Sequence, residues 1–166
     1  KIKIYKDGVF NCAGVQIKRK SNYQMVQIGT LFDLQKGTLA SDDAEEEGDF
    51  DFITASNEWK KHNSYSHDAE AIIIAVAAGG SLGRTHYVKG KFTASNLCLI
   101  LTPKNNPQYE INLEFYNWYF AAMRKRIVSD LADGTSKLTI SKPDLEKYYI
   151  DYIPVNKQNE LVKEKV

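Results

Sequence analysis

The side chains able to do chemistry fall in a few short segments of the 166-residue chain. Gly79-Gly80-Ser81-Leu82-Gly83-Arg84 has the glycine density of a loop whose backbone N–H groups cradle phosphate. Such a nucleotide-binding loop needs Lys-Ser or Lys-Thr after its last glycine, and then a helix. Here Thr85-His86-Tyr87 follows and reads as the start of a strand. The run is therefore expected to be a glycine-rich β turn, either plain or presenting Ser81 and Arg84 to the backbone of a ligand.

Three other constellations suggest catalysis and lack a necessary part. Asp43 with Glu58-Trp59-Lys60 meets the loose spacing of a metal-dependent nuclease motif, in which acids bind Mg²⁺ and a lysine sits beside the attacked phosphate. Those residues belong on strands of one sheet, whereas Asp43 and Glu58 fall in expected loops. Asn106-Pro107-Gln108-Tyr109 resembles the Asn-Pro-Pro-Tyr loop of amino-methylating DNA methyltransferases, but the doubly wound cofactor domain of that class is missing. Ser81 has no Gly-x-Ser-x-Gly elbow around it. His62, His67 and His86 form no helical pair or Cys/His cluster, and Cys12 and Cys98 have no CxxC spacing. No catalytic residue, metal or cofactor is expected, and the two thiols read as reduced, as in a cytoplasmic protein.

Charge leaves nucleic acid open as a partner. The 22 Lys and Arg against 21 Asp and Glu give +1, but seven acids and no base lie between Asp42 and Asp51. Outside that stretch the balance is 22 to 14, or +8. Lys18-Arg19-Lys20, Lys60-Lys61, Lys89 with Lys91, and Arg124-Lys125-Arg126 are its local concentrations. The acidic stretch reads as an exposed loop that is simply solvated, repels DNA outside a footprint, or contacts a partner. The apolar run from Ala71 to Ala78 is far shorter than the ~20 residues a bilayer requires, so no membrane is expected. Lys1 in the place of Met, and a stop at Val166 within a helix-like segment, read as a piece of a longer chain.

These residues must be positioned by strands and one long helix. Alternation at Ile2–Tyr5 and Val15–Lys18, with Asp7-Gly8 and Ala13-Gly14 between, predicts a small β ribbon. Tyr23–Leu34 and Phe50–Thr54 read as further strand segments. Ala71–Val76, with three consecutive isoleucines and no polar face, predicts a central strand covered on both sides. Thr85–Val88 and Lys91–Ala94 around Lys89-Gly90 predict a hairpin, and Leu97–Leu101 completes a meander.

From Ile111 to Leu131 the apolar period becomes three and four, which predicts a long helix that is buried in its aromatic first half and ends at Asp133-Gly134. Ser141-Lys142-Pro143-Asp144 predicts the cap of a short helix, Tyr149–Ile153 a strand, and Asn156 the cap of a last helix. The whole is one α+β domain over residues 1–166: a mixed, mainly antiparallel twisted sheet with one long buried helix and one or two short helices.

Four segments carry a family likeness. They are Gly29-x-x-Phe32 leading to Lys36-Gly37, and Phe52-Ile53-Thr54-Ala55-Ser56. The most specific is Ile72-x-Ile74 with Gly80-Ser81-x-Gly83, Tyr87 and Gly90-x-Phe92-x-Ala94-Ser95. The last is Ile150-x-x-Ile153-Pro154 with Gln158 beyond. In this order they resemble the target recognition domain of the DNA specificity subunits of type I restriction-modification systems, over most of the chain. One departure is that Asn156 or Lys157 stands where the family has a second proline.

The resemblance implies a non-catalytic module without a cofactor, which reads one half of a split double-stranded DNA target in the major groove. It implies partners: methyltransferase subunits that use S-adenosylmethionine to methylate adenine N6, and a restriction subunit, or the same functions fused in the parent chain. It also implies that residues 155–166 begin a spacer helix. On this reading Lys36, Thr38, Ser56, Asn57, Ser81, Arg84, Tyr87, Thr93 and Ser95 are the candidate DNA-binding residues, converging on one face. Lys18, Arg19, Lys20, Lys60, Lys61, Lys89 and Lys91 are candidate phosphate contacts. Two other readings stay open on residues alone: a methyltransferase or nuclease fragment, and a protein-interaction module built on the aromatics of Phe115 to Tyr119.

Overall fold

The computed structural model describes residues 22–164 together with strand segments 3–4, 9–12 and 15–18. Strands β1 (Lys3–Ile4), β2 (Val9–Cys12) and β3 (Val15–Lys18) pair antiparallel in that order, the ribbon that the alternation predicts. Arg19 and Lys20 lie outside the described residues.

Tyr23–Leu34 is not one strand. It divides into β4 (Gln24–Gln27), a single helical turn α1 (Ile28–Leu31) and β5 (Phe32–Lys36). The turn is needed because the two strands serve different sheets: β4 pairs with β11 (Tyr149–Tyr152), and β5 with β10 (Cys98–Pro103). Ile28 and Leu31 are buried at the switch, and the Ile28 N–H donates to the Tyr148 carbonyl.

The main sheet has six strands in the order β5-β10-β8-β9-β6-β7, with β6 (Phe50–Ile53), β7 (Lys60–His62), β8 (His67–Ala75) and β9 (Thr85–Ala94). Every neighbouring pair is antiparallel except β6 with β9. As the triple isoleucine predicts, β8 lies inside the sheet and is covered on both faces. Ile72 and Ile74 join a core with Leu99 and Leu101, while Ala71 and Ile73 point the other way to Val88, Phe92, Cys98 and Ile100. Period-two alternation sends neighbours to opposite faces, so a strand apolar at every position needs two cores. Burial raises the Cys98 thiol to about 12, which keeps it protonated and inert.

The predicted hairpin at Lys89-Gly90 is absent. Strand β9 runs through it without interruption, Gly90 taking φ +110° within the ladder opposite Ala69. The β8–β9 ribbon then curls over the second core. The end of β6 is hydrogen-bonded to the residue just past β9 (Ser95 N–H to Ile53 carbonyl, 2.9 Å), and the loop that follows β6 reaches the start of β9 (His86 to Ser56 carbonyl, 2.8 Å).

Helix α2 (Leu113–Leu131) packs on the first core through Leu113, Tyr116, Phe120, Ile127 and Leu131, with the Asn112 side chain accepting from the Phe115 N–H. Phe115, Tyr116 and Phe120 are buried in the first core with Tyr119 packed against it, and Trp118 is half-buried, so most of this aromatic group is core and does not form the free surface that a protein-interaction module would need. Helix α3 (Lys142–Lys147) has the predicted cap, the Ser141 hydroxyl accepting from the Asp144 N–H at 3.2 Å. The last helix, α4 (Val155–Glu164), starts one residue before Asn156. The Pro154 carbonyl already accepts from the Lys157 and Gln158 N–H groups, so Asn156 lies inside the first turn and does not cap it. Among the described residues no helix is long and apolar enough to cross a membrane.

Candidate functional site

A polar cluster outside the core is formed by the turn from Thr54 to Trp59 and the start of β9 against which it folds. The Thr54 and Ser56 hydroxyls lie 3.0 Å apart and both donate to the Glu58 carbonyl, at 3.3 and 3.1 Å. These bonds hold the turn in one shape and leave neither hydroxyl hydrogen uncommitted. Strand β9 then locks the turn in place. The His86 ring donates from Nε2 to the Ser56 carbonyl and accepts at Nδ1 from the Trp59 indole N–H at 3.0 Å. An indole N–H can only donate and a carbonyl can only accept, so these two partners fix the neutral tautomer with its proton on Nε2. Burial lowers the His86 pKa, as does the Arg84 charge, against the opposing pull of the Ser56 carbonyl. Two residues before His86 and just ahead of β9, Arg84 donates from Nη1 to the Asn57 side-chain oxygen.

A second loop joins this cluster. After β5 the Gly37 and Thr38 N–H groups donate to the Cys98 and Ala94 carbonyls, Leu39 bridges to Ser95, and the Asn96 N–H donates to the Leu39 carbonyl. The Lys60 ammonium closes the arrangement on the Ser41 carbonyl at 3.2 Å. Residues 37–43, 54–60 and 84–86 are thus tied together through Lys60 and the two ends of β9, with Lys36, Thr38, Asn57 and Lys60 exposed and Arg84 half-buried.

The candidate residues separate into three groups. Ser56, Asn57 and Arg84 meet in the first cluster, and Lys36 and Thr38 adjoin it. Ser81 and Tyr87 do not. Alternation along β9 turns Thr85 and Tyr87 toward α2, where the Thr85 hydroxyl donates to the Asn117 carbonyl. Burial, with the Glu70 carboxylate as hydrogen-bond partner, raises Tyr87 to about 12. Ser81 sits in a 3-10 turn that Arg124 of α2 holds by donating to the Leu82 and Gly80 carbonyls at 2.9 and 3.1 Å.

Thr93 and Ser95 are 3% and 0% exposed, because the tail of β9 is enclosed between β6 and the loop after β5. The Ser95 hydroxyl oxygen accepts from the Leu97 N–H. In this conformation neither side chain can reach a ligand, which corrects their place among the candidates.

The lysines are less free than their composition suggests. Lys61 pairs with Asp51 at 2.8 Å, and register places Lys89 opposite Glu70 and Lys91 opposite Asp68, with the Lys91 ammonium over the Tyr65 ring. Lys18 ends β3. The acidic loop folds back on edge strand β7. The Glu45 N–H donates to the Lys61 carbonyl at 2.8 Å, its carboxylate lies 3.3 Å from His62, and the Asp43 carboxylate accepts from the Ala40 N–H. Among the described residues no group of three or more His, Cys, Asp or Glu is placed to hold a metal ion. Trp59 and His86, the organisers of the cluster, were not among the candidates. They stand 27 residues apart, and no local pattern announces their contact.

A family model described as the type I restriction modification DNA specificity domain matches residues 20–163. The type I restriction enzyme EcoDI specificity subunit of Escherichia coli is 26% identical over 145 residues, 87% of this chain and 30% of that subunit. The S subunit of the type I restriction-modification system of M. genitalium shares the fold, with a TM-score of 0.69 at 21% identity over 89% of this chain and 40% of its own. The HsdS subunit of Thermoanaerobacter tengcongensis does so with a TM-score of 0.61 at 16% identity over 86% and 36%. The chain therefore spans less than half the length of each of these relatives. With the family match covering all but the ends of the chain, and the fold shared with two S subunits, this chain belongs to the type I restriction modification DNA specificity domain family.

Proposed function

We propose that this domain reads the sequence of one half of a bipartite double-stranded DNA target. It positions methyltransferase subunits that methylate adenine N6, and a restriction subunit, or the same functions fused in its parent chain, and performs no bond-making step itself. Family membership supports this reading, and so does the polar turn between β6 and β7. That turn is held rigid by its own hydroxyls and by His86, and it carries exposed donors in Asn57 and Lys60 beside Arg84. Rigid donors on a folded sheet suit the base edges of a duplex, because the cost of ordering them has been met before binding. Lys36, Thr38 and Lys60 around the turn suit phosphate and sugar, which set register without reading sequence.

The test is titration of labelled random duplexes at two salt concentrations. Affinity is expected to fall about a hundredfold between 50 and 200 mM salt if about four phosphates are neutralised. Binding that is absent or insensitive to salt counts against the reading. Incubation of the domain with DNA and Mg²⁺, or with DNA and S-adenosylmethionine, is expected to give no cleavage and no methyl transfer. Turnover in either would replace the proposal with a catalytic one.

A further inference from the structure

We infer that Asn57 and Arg84 act as one reading unit and that the base they select is guanine, an inference that rests on the DNA-reading function proposed above. Elimination within the cluster comes first. The Thr54 and Ser56 hydroxyl hydrogens go to the Glu58 carbonyl, the Trp59 N–H goes to His86, and both His86 nitrogens are engaged. Within residues 54–59 and 84–86 the side chains with uncommitted hydrogens are Asn57 and Arg84; Lys60, the first residue of β7, is drawn to the Ser41 carbonyl. Arginine has donors only, so it is the amide oxygen of Asn57 that faces it, and the amide NH₂ is left outward. The Arg84 Nε is buried, so the Nη groups are the part of the guanidinium that can reach a ligand.

The pair therefore presents amide and guanidinium N–H groups side by side with a positive charge, and Arg84 occupies the acceptor end of the amide. In the major groove guanine offers two acceptors, O6 and N7, whereas adenine offers N7 next to an amino donor, cytosine an amino donor, and thymine the single acceptor O4 beside its methyl group, so only guanine can take two of the donors at once. An unpaired Asn can recognise adenine by using its oxygen and its NH₂ together. With Arg84 on that oxygen, the adenine amino group would face a cation and its donors. Donor against donor is unfavourable, so guanine is selected against adenine as well as for its own contacts. The bonds from His86 to the Ser56 carbonyl and from Trp59 to His86 keep the turn that carries Asn57 against Arg84, so the unit is assembled before DNA arrives.

The experiment is selection of bound duplexes from a random pool, using the intact protein purified with whatever subunits accompany it. It compares the natural sequence with Arg84→Lys, Arg84→Ala and Asn57→Asp. The expected result is an enriched motif with a guanine position whose preference falls about tenfold or more in all three variants while the other positions keep theirs. Retained preference elsewhere shows that the variants are folded. If the affected position is adenine, cytosine or thymine, or if the variants weaken every sequence equally, the Asn57–Arg84 assignment is wrong although DNA reading stands. If the natural protein enriches no motif, the DNA-reading function fails and this inference fails with it.

Discussion

At the residue scale the polar turn depends on His86, whose two hydrogen bonds require a neutral ring. Its pKa is lowered from 6.5 in the fold, burial being the main cause, so below that value the unfolded chain binds more protons than the folded one. The stability contributed by neutral His86 is complete above pH 6.5 and is lost as the pH falls from there toward the lowered folded value. His67, stacked on Phe92 with ring centroids 5.3 Å apart and hydrogen-bonded to Gln35, is lowered by burial as well and adds to the same decline. Melting temperatures recorded from about pH 8 to about pH 5 are expected to fall on the acid side of that range. In His86→Gln the fall is expected to be smaller, leaving the share of His67. An identical fall in the variant would show that His86 does not titrate with the fold.

At the element scale the turn between β8 and β9 depends on Gly83. Its φ is +80°, and a Cβ there would lie 2.8 Å from the Val128 Cγ2 and 2.9 Å from the Arg124 Cγ. Gly83→Ala is expected to lower the unfolding free energy by about 1–3 kcal/mol in urea titration, from backbone strain and overpacking against α2. Gln158, fully buried, joins α4 to the start of α2. Its oxygen accepts from the Asn112 N–H at 2.7 Å, and its NH₂ donates to the Ile153 and Glu110 carbonyls at 2.7 and 3.0 Å. Gln158→Leu keeps the bulk and orphans two backbone groups, the Asn112 N–H and the Ile153 carbonyl, while the Glu110 carbonyl keeps the Tyr152 hydroxyl, for an expected loss of about 2–5 kcal/mol in the same measurement. These elements also mark where the sequence could be read. The isoleucines of β8, the three-and-four spacing of α2 and the cap at Ser141 report local physics that the fold leaves unopposed. Lys89-Gly90 has the chemistry of a turn, but pairing of β9 with both β8 and β6 overrides it, and the glycine serves the curl of the ribbon instead. Thr93 and Ser95 are polar residues beside a glycine-bearing strand and so resemble surface. Pairing of the β9 tail with β6 and closure of the loop after β5 over it bury them, and both are tertiary events. The contact of Trp59 with His86 and the meeting of Asn57 with Arg84 arise from the same curl and have no signature at short range.

At the scale of the molecule, charge is distributed against the composition. The acidic loop is folded onto β7 beside Lys60 and Lys61, close to the proposed DNA face, so its charge is expected to oppose duplex binding there. Asp43, Glu45 and Asp51 hold structural partners, whereas Asp42, Glu46, Glu47 and Asp49 are exposed. Replacing those four with Asn or Gln raises the net charge by four. Affinity for any duplex at low salt is expected to increase several-fold by fluorescence anisotropy, with base preference unchanged, because long-range charge steers and does not read. Unaltered affinity would place the loop outside the field that DNA experiences. The most direct test of the central claim, that the loops gathered at the tail and start of β9 form the face that meets DNA, is hydrogen–deuterium exchange. The intact protein would be measured free and bound to its selected duplex. New protection is predicted at residues 36–43, 54–60 and 84–86, with little change along 124–131 of α2. Protection confined to α2 or to the 79–81 turn, with 54–60 unaffected, would contradict it.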